Sequence, residues 1–298
     1  MTVSTVRVPA KVNLELSVGP VRDDGYHDLV NVFHAVSLYD EVTATPAASL
    51  SVSVDGPATV PTGPDNLAAR AASLLAAHVG VEPNVALHIR KDIPVAGGMA
   101  GGSADAAAAL VACDALWDAR LDQETLLELA AGIGSDVPFA LLGGTAVGLG
   151  RGERLTSVEA AGEFHWVFGY ADGGLSTPAV YAECDRLRAA GGGSPWPKVS
   201  DDLMAALKTG DAVGLGRALV NDLEPAALSL RPSLAEALEA GRELGALGSI
   251  VSGSGPTCAF LAGSADHGAE LVVGLEASGR FASVRQAYGP VQGATPEA

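Results

Sequence analysis

The sequence predicts a two-domain protein of mixed α/β (α+β) class, and three observations carry that expectation. A chain of 298 residues with 48% hydrophobic content can bury one large core or two ordinary ones, and two is the commoner solution at this length. Strand-like and helix-like periodicities alternate from the start, as a mixed α/β fold requires. A buried-strand pattern at Phe164 to Ala171 then opens a second set of elements. The boundary is therefore expected near Gly162, dividing the chain into residues 1–162 and 163–298.

In order along the chain, Val6 to Val18, Val30 to Val42 and Leu50 to Val54 read as strands, Asn66 to Val79 as a helix and Val85 to Ile89 as a further strand. A glycine-rich segment leads into an alanine-rich helix whose Ala106, Ala109, Leu110, Cys113, Leu116 and Trp117 form one apolar stripe. A helix around Gln123 to Ala131 follows, then Gly134-Ser135-Asp136-Val137-Pro138 and a strand-like stretch from Gly144 to Leu149. Pro138 restricts what precedes it to a turn or a helix start. In the second half, Pro178 to Arg188, Leu203 to Lys208 and Ser233 to Leu244 are helical, while Ile250-Val251 and Cys258 to Leu261 are strands around a turn. Ala189 to Pro197 reads as a surface loop, and Gly293 to Ala298 as a frayed tail.

A formal charge of −17 argues against general binding to nucleic acid or an anionic membrane, so any anionic ligand must be held locally. Cys113, Cys184 and Cys258 are odd in number and widely spaced, which suits a reducing, cytoplasmic setting without disulfides or zinc. The most apolar stretch, Val137 to Leu149, is short and broken by glycines, so no membrane span or leader is expected. Composition leaves monomer and homodimer both open.

The segment Pro94-Val95-Ala96-Gly97-Gly98-Met99-Ala100-Gly101-Gly102-Ser103-Ala104-Asp105 is the most informative in the chain. Its glycines remove the Cβ atoms that would hold a ligand away, and the helix that follows offers unpaired N–H groups and a positive dipole end to an anion. A tight connection with no ligand is the alternative, since neither P-loop nor dinucleotide spacing is present. Other candidates carry similar alternatives. Lys11, in Pro9-Ala10-Lys11-Val12-Asn13, needs a partner for its charge unless it faces outward from an edge strand. Asp136 is either a helix cap or a functional carboxylate. Ser103 can cap the helix or ligate magnesium. Ser252-Gly253-Ser254-Gly255-Pro256-Thr257 is a hairpin turn or a second ligand loop, and Arg22-Asp23-Asp24-Gly25-Tyr26-His27 presents an aromatic ring and an imidazole suited to a nucleobase.

Taken together and in this order, Pro-Ala-Lys-Val-Asn-Leu, the glycine segment and Val-Ser-Gly-Ser-Gly-Pro-Thr resemble the three motifs of the GHMP small-molecule kinases over nearly the whole chain. The resemblance implies a ribosomal-protein-like N-terminal domain, a ferredoxin-like C-terminal domain and an active site in the cleft between them. It implies ATP as co-substrate with Mg²⁺, the phosphates wrapped by Pro94, Val95, Ala96, Gly97, Gly98, Met99, Ala100, Gly101, Gly102 and Ser103, and the adenine near Asn66. Ser103 is the candidate metal ligand. Lys11 and Asp136 become the catalytic pair for in-line transfer to a hydroxyl, Asp136 as base and Lys11 as its electrostatic partner. Asn13, Tyr26, His27, Thr177, Tyr181, Gly253, Ser254 and Gly255 are implied on the acceptor side, where Tyr26, His27 and Tyr181 point to a cytidine-tagged small molecule.

One departure stands out: where the family usually has a second hydroxyl and a neutral residue, this chain has Ala104 and Asp105. Asp105 then either faces the metal or caps the helix N-terminus. Rival functions are a homoserine or mevalonate type of kinase, a family member acting without catalysis as a ligand sensor, and a hydrolase built on Ser254, which lacks the surrounding elbow.

Overall fold

The computed structural model describes residues 3–56, 59–95, 97–191 and 196–297. Two long strands, β1 (Ser4–Val21) and β2 (His27–Pro46), form an antiparallel hairpin that is the spine of the larger sheet. Their inward residues from Val6 to Leu14 are fully buried, and register shifts at Pro9/Ala10 and Asn13/Glu15 bend the pair over the core. β3 (Ser51–Asp55), α1 (Leu67–Val79) and β4 (Val85–Arg90) make a parallel β–α–β unit, with β4 added to β2 and β3 left at the edge. The helices α2 (Gly101–Leu116), α3 (Gln123–Ile133) and α4 (Val137–Leu142) lead to β5 (Thr145–Gly150) and β6 (Arg154–Val158), which extend the sheet from the far end of β2.

The chain then leaves this sheet. β7 (Phe164–Tyr170) is followed by α5 (Thr177–Gly191), α6 (Asp201–Thr209), α7 (Ala212–Ala218), β8 (Val220–Asn221), α8 (Glu224–Leu230) and α9 (Ser233–Glu243). β9 (Gly248–Val251), β10 (Cys258–Ala262), α10 (Ala265–Ala277) and β11 (Ser283–Gly289) complete a four-stranded antiparallel sheet of order β11-β7-β10-β9. β8 and the final β12 (Thr295–Pro296) return to pair with β1. One apolar core runs from Val6 and Val8 through Ala106 to Trp166, Phe168 and Leu261, so both sheets share it.

Two sequence expectations need correction. The helix after the glycines does not dock on one stripe: Ala104 to Leu110, Ala112 and Cys113 are all buried, because β1 and β2 cover one side and α1 and α4 others. A run of alanines has no bulky side, which lets several elements approach at once and hides the packing from any periodicity test. Nor is the tail frayed over residues 293–297, Ala298 lying outside the described residues. Thr295 and Pro296 pair with Arg7 and Val6, the Glu297 N–H donates to Thr5 O at 2.9 Å, and Gly293 lies against Gly143 so closely that a Cβ would be 2.0 Å from the neighbouring backbone at one of them.

Candidate active site

The middle glycine segment and the β9–β10 turn are remote in sequence and pack on each other. Gly98 holds φ at +78°, and an ideal Cβ there would lie 2.0 Å from Ser252 O, so glycine is required both by conformation and by contact. Gly98 O accepts from Lys11 Nζ at 2.7 Å and from Ser252 Oγ at 3.2 Å, while the Lys11 N–H donates to Met99 O at 3.3 Å. Ser252 to Thr257 is therefore a hairpin turn, closed by Ser252 N–H to Thr257 O at 2.9 Å, and also the wall that shapes the glycine loop. Ala100 takes a left-handed φ of 60° before α2 and supplies no side-chain cap. The N–H groups of Gly101, Gly102 and Ser103 consequently carry no partner among the described residues and face a cavity.

That cavity is about 1060 Å³ and lies between the two halves of the chain. Lys11, Asn13, Pro94, Gly97, Gly98, Ala100 and Gly101 to Ser103 line one part. Asp136, Thr177, Tyr181, Gly253 and Ser254 line another, with Tyr26 and His27. Four expected site residues do not line it: Val95 is exposed, Met99 is buried in the core, Gly255 sits behind the turn, and Asn66 caps α1. Asn66 Oδ1 accepts from the Ala68 and Ala69 N–H groups at 2.8 and 3.3 Å, and its Nδ2 donates to Pro61 O at 2.7 Å. Ala96 lies outside the described residues.

Lys11 is buried, and its ammonium donates to Asn13 Oδ1 at 2.6 Å as well as to Gly98 O; Asn13 in turn donates to Asn31 Oδ1 at 2.8 Å. Burial pushes the Lys11 pKa below the ordinary lysine range, and the field of Asp136 pulls it partly back. The two form no direct ion pair, and both line the cavity. Asp136 stands at the N-cap of α4 yet makes no capping bond, so its carboxylate is free to act in the cavity.

At the far end, the turn Arg22–Tyr26 holds Tyr26 half out in solvent, with Arg151 over its ring at 5.2 Å. His27 is buried and stacks on Tyr181 with centroids 5.3 Å apart. Its Nδ1 is 2.8 Å from Gly19 O, an acceptor only, so Nδ1 donates and Nε2 faces Asp185 at 3.4 Å. Thr177 Oγ1 and Ser254 Oγ are hydrogen bonded at 2.9 Å, tying the start of α5 to the second glycine turn. Sequence reasoning missed Asn31, Arg151 and Asp185. Arg151 had a faint signal, a lone cation inside Gly150-Arg151-Gly152, while the other two had none.

Asp105 does neither thing expected of it. It makes no cap and does not line the cavity; its Oδ2 accepts from Lys91 Nζ at 2.9 Å beneath the first turn of α2. Lys91 is an ordinary charge between strand and loop in the sequence, and its partners lie 14 and 51 residues away, beyond any local pattern.

Residues 66–144 match the family description "GHMP kinases N terminal domain" and residues 203–280 "GHMP kinases C terminal". The 4-diphosphocytidyl-2-C-methyl-D-erythritol kinase of Thermobifida fusca is 63% identical over 98% of this chain and 97% of its own length. The protein of that name from Streptomyces avermitilis is 60% identical over 98% of each. A crystal structure of 4-(cytidine 5'-diphospho)-2C-methyl-D-erythritol kinase superposes with a TM-score of 0.78 at 35% identity, covering 95% of this chain and 98% of that one. Homoserine kinase from Cytophaga hutchinsonii, 17% identical with a TM-score of 0.75, covering 100% of this chain and 98% of that one, shares the fold. On sequence and on structure alike, the chain belongs to the GHMP kinase family.

Proposed function

We propose that the chain transfers the γ-phosphate of ATP to the 2-hydroxyl of 4-diphosphocytidyl-2-C-methyl-D-erythritol, a step of the non-mevalonate route to isoprenoid precursors. The observation that supports this reading is that one cavity is lined by Lys11 and Asp136, by the glycine loop with its unpaired N–H groups, and by the His27–Tyr181 aromatic pair. Relatives that match over nearly their full length bear the name of this activity, and the aromatic end suits a cytosine ring. Residues 1–162 serve ATP and residues 163–298 the acceptor side, with Tyr26 and His27 reaching across.

Asp136 accepts the proton of the acceptor hydroxyl as its oxygen bonds to the γ-phosphorus and the bond to the β-phosphate oxygen breaks, releasing ADP. Lys11, whose ammonium is fixed by Asn13 and Gly98, offsets the charge that builds on the transferring group. Gly97, Gly98 and Gly101 to Ser103 hold the phosphates by backbone N–H groups. Among the described residues no cluster of three or more acidic, histidine or cysteine side chains could cage a metal, whereas the Ser103 hydroxyl has no protein partner and lines the cavity. That donor set fits magnesium carried mainly by nucleotide phosphates and water, with Ser103 as its protein ligand, and the ion would neutralise phosphate charge. Three buried free thiols suit a reducing cytoplasmic setting, and no described helix is long and apolar enough to cross a membrane.

An ADP-release assay over a panel of the cytidine-tagged acceptor, homoserine and mevalonate tests the proposal. Turnover with the first alone is expected. Turnover with either of the others and none with the first would overturn it.

A further inference from the structure

One buried ionic cluster takes no part in the site described above. Lys91 follows β4 where the glycine loop begins, and its ammonium contacts Asp40 on β2 and Asp105 on α2. The three side chains are 3%, 0% and 4% exposed. Asp40 Oδ1 also accepts from the N–H groups of Asp92 at 2.7 Å and Ile93 at 2.9 Å, fixing the backbone that feeds the loop. At the other end of the loop, an ideal Cβ on Gly101 would lie 3.0 Å from Lys91 Nζ, so the ammonium sits directly under the first residue of α2. Asp105 Oδ1 has no hydrogen-bond partner among the described residues. Burying two carboxylates against one ammonium is costly, and an apolar trio of similar volume would serve plain stability as well or better.

We propose that Asp105 is a positioning residue for the phosphate cradle: through Lys91 it staples the end of the glycine loop to its beginning, and Asp40 anchors the staple to the sheet. The bridged residues are 14 apart in sequence, and the stapled segment contains every backbone N–H assigned to the phosphates. An unstapled loop must be ordered at the moment of binding, which costs affinity for the nucleotide and not for the acceptor. The inference rests on the reading of this loop as the ATP cradle.

The experiment compares wild type, Asp105→Asn and Asp105→Ala by the KM for ATP, the KM for the acceptor, thermal melting, and amide exchange of the nucleotide-free enzyme. Asp105→Ala is expected to raise the ATP KM about tenfold, leave the acceptor KM within about twofold, and speed exchange in residues 97–103. Asp105→Asn keeps the shape and the contact, so its ATP KM stays within about threefold of wild type. Faster exchange across the whole chain, or equal rises in both KM values, makes the cluster merely structural and overturns the proposal. So does an Asp105→Asn variant whose ATP KM rises as far as that of Asp105→Ala. A wild-type enzyme that never saturates with ATP removes the functional reading and this inference together. Saturating wild type with an indistinguishable Asp105→Ala removes the staple alone.

Discussion

Two glycines four residues apart are predicted to respond to alanine in opposite ways, and the contrast separates a loop built for folding from one built for a ligand. At Gly98 an ideal Cβ lies 2.0 Å from Ser252 O and 3.1 Å from the Gly255 nitrogen, both backbone atoms, so the two loops must part by about 1.4 Å to reach ordinary contact. The left-handed φ adds roughly 1–2 kcal/mol for a residue with a Cβ. Because Gly98 O also receives the Lys11 ammonium, the displacement reaches the catalytic centre, and a misplacement of that size costs on the order of 10²-fold in turnover. Gly102 is different: it is an exposed helical residue whose Cβ would meet Leu67 Cδ1 at an ordinary 3.6 Å. Alanine there gains up to about 1 kcal/mol of helix stability, about 2 °C in melting temperature for a chain of this size. The added methyl group occupies space in the phosphate cradle. Loss of one N–H to phosphate contact, roughly 1.5–3 kcal/mol, raises the ATP KM at least about tenfold. Melting by scanning calorimetry and steady-state kinetics on both variants provide the check. Gly102→Ala that melts lower than wild type, or that binds ATP as wild type does, refutes the reasoning; so does Gly98→Ala with turnover within about threefold.

Asp136→Asn retains shape and loses the proton acceptor, so turnover should fall by ~10²–10⁴-fold while the ATP KM barely moves, measured by ADP release. Tyr181→Ala removes one face of the aromatic end, and at about 1–3 kcal/mol for base stacking the acceptor KM should rise roughly 5- to 150-fold with the ATP KM unchanged. His34 is fully buried beside Thr145 and Gly289, and burial lowers its pKa from 6.5 to about 4. Between those two values the unfolded chain takes a proton that the folded one refuses, so this contribution is intact above the unfolded value and is lost as pH falls. The loss reaches about 2 kcal/mol at about pH 5, read as a lower urea midpoint relative to neutral pH that His34→Gln diminishes.

β1 to β5, β7, β9 and β10, with α1, α3, α5, α6 and α9, were legible because their residues announce a face, whereas β6, β11 and α10 went unread. Val6 to Leu14 and Cys258 to Leu261 carry enough branched or bulky groups for periodicity to speak. α2 does not: with alanine on every side, its full burial depends on what packs around it, and that is a property of the fold. The tail was misread for a related reason, since nothing in Thr295-Pro296 marks a strand apart from the partner offered by β1. Within the site, the glycines and Tyr26-His27 were visible as local chemistry. The Lys91 cluster was not, because three charges from β2, the loop and α2 become a unit only when the chain closes.

The net charge of −17 frames how such a chain can accept two polyanions at once. Side-chain cations are scarce in the cavity: Lys11 is committed to Asn13 and Gly98, and Arg151 lies over Tyr26. Backbone N–H groups and the positive end of α2 must therefore supply most of the attraction for phosphate. Such dipoles act only at contact distance, so their orientation decides affinity in a way that a mobile lysine does not demand. On the proposed reading, an acidic enzyme that binds phosphate through its backbone has every reason to fix that backbone from below, and Lys91 beneath the loop is held between two carboxylates, where it cannot swing up to the ligand. Placing the cation under the cradle trades direct charge for geometry.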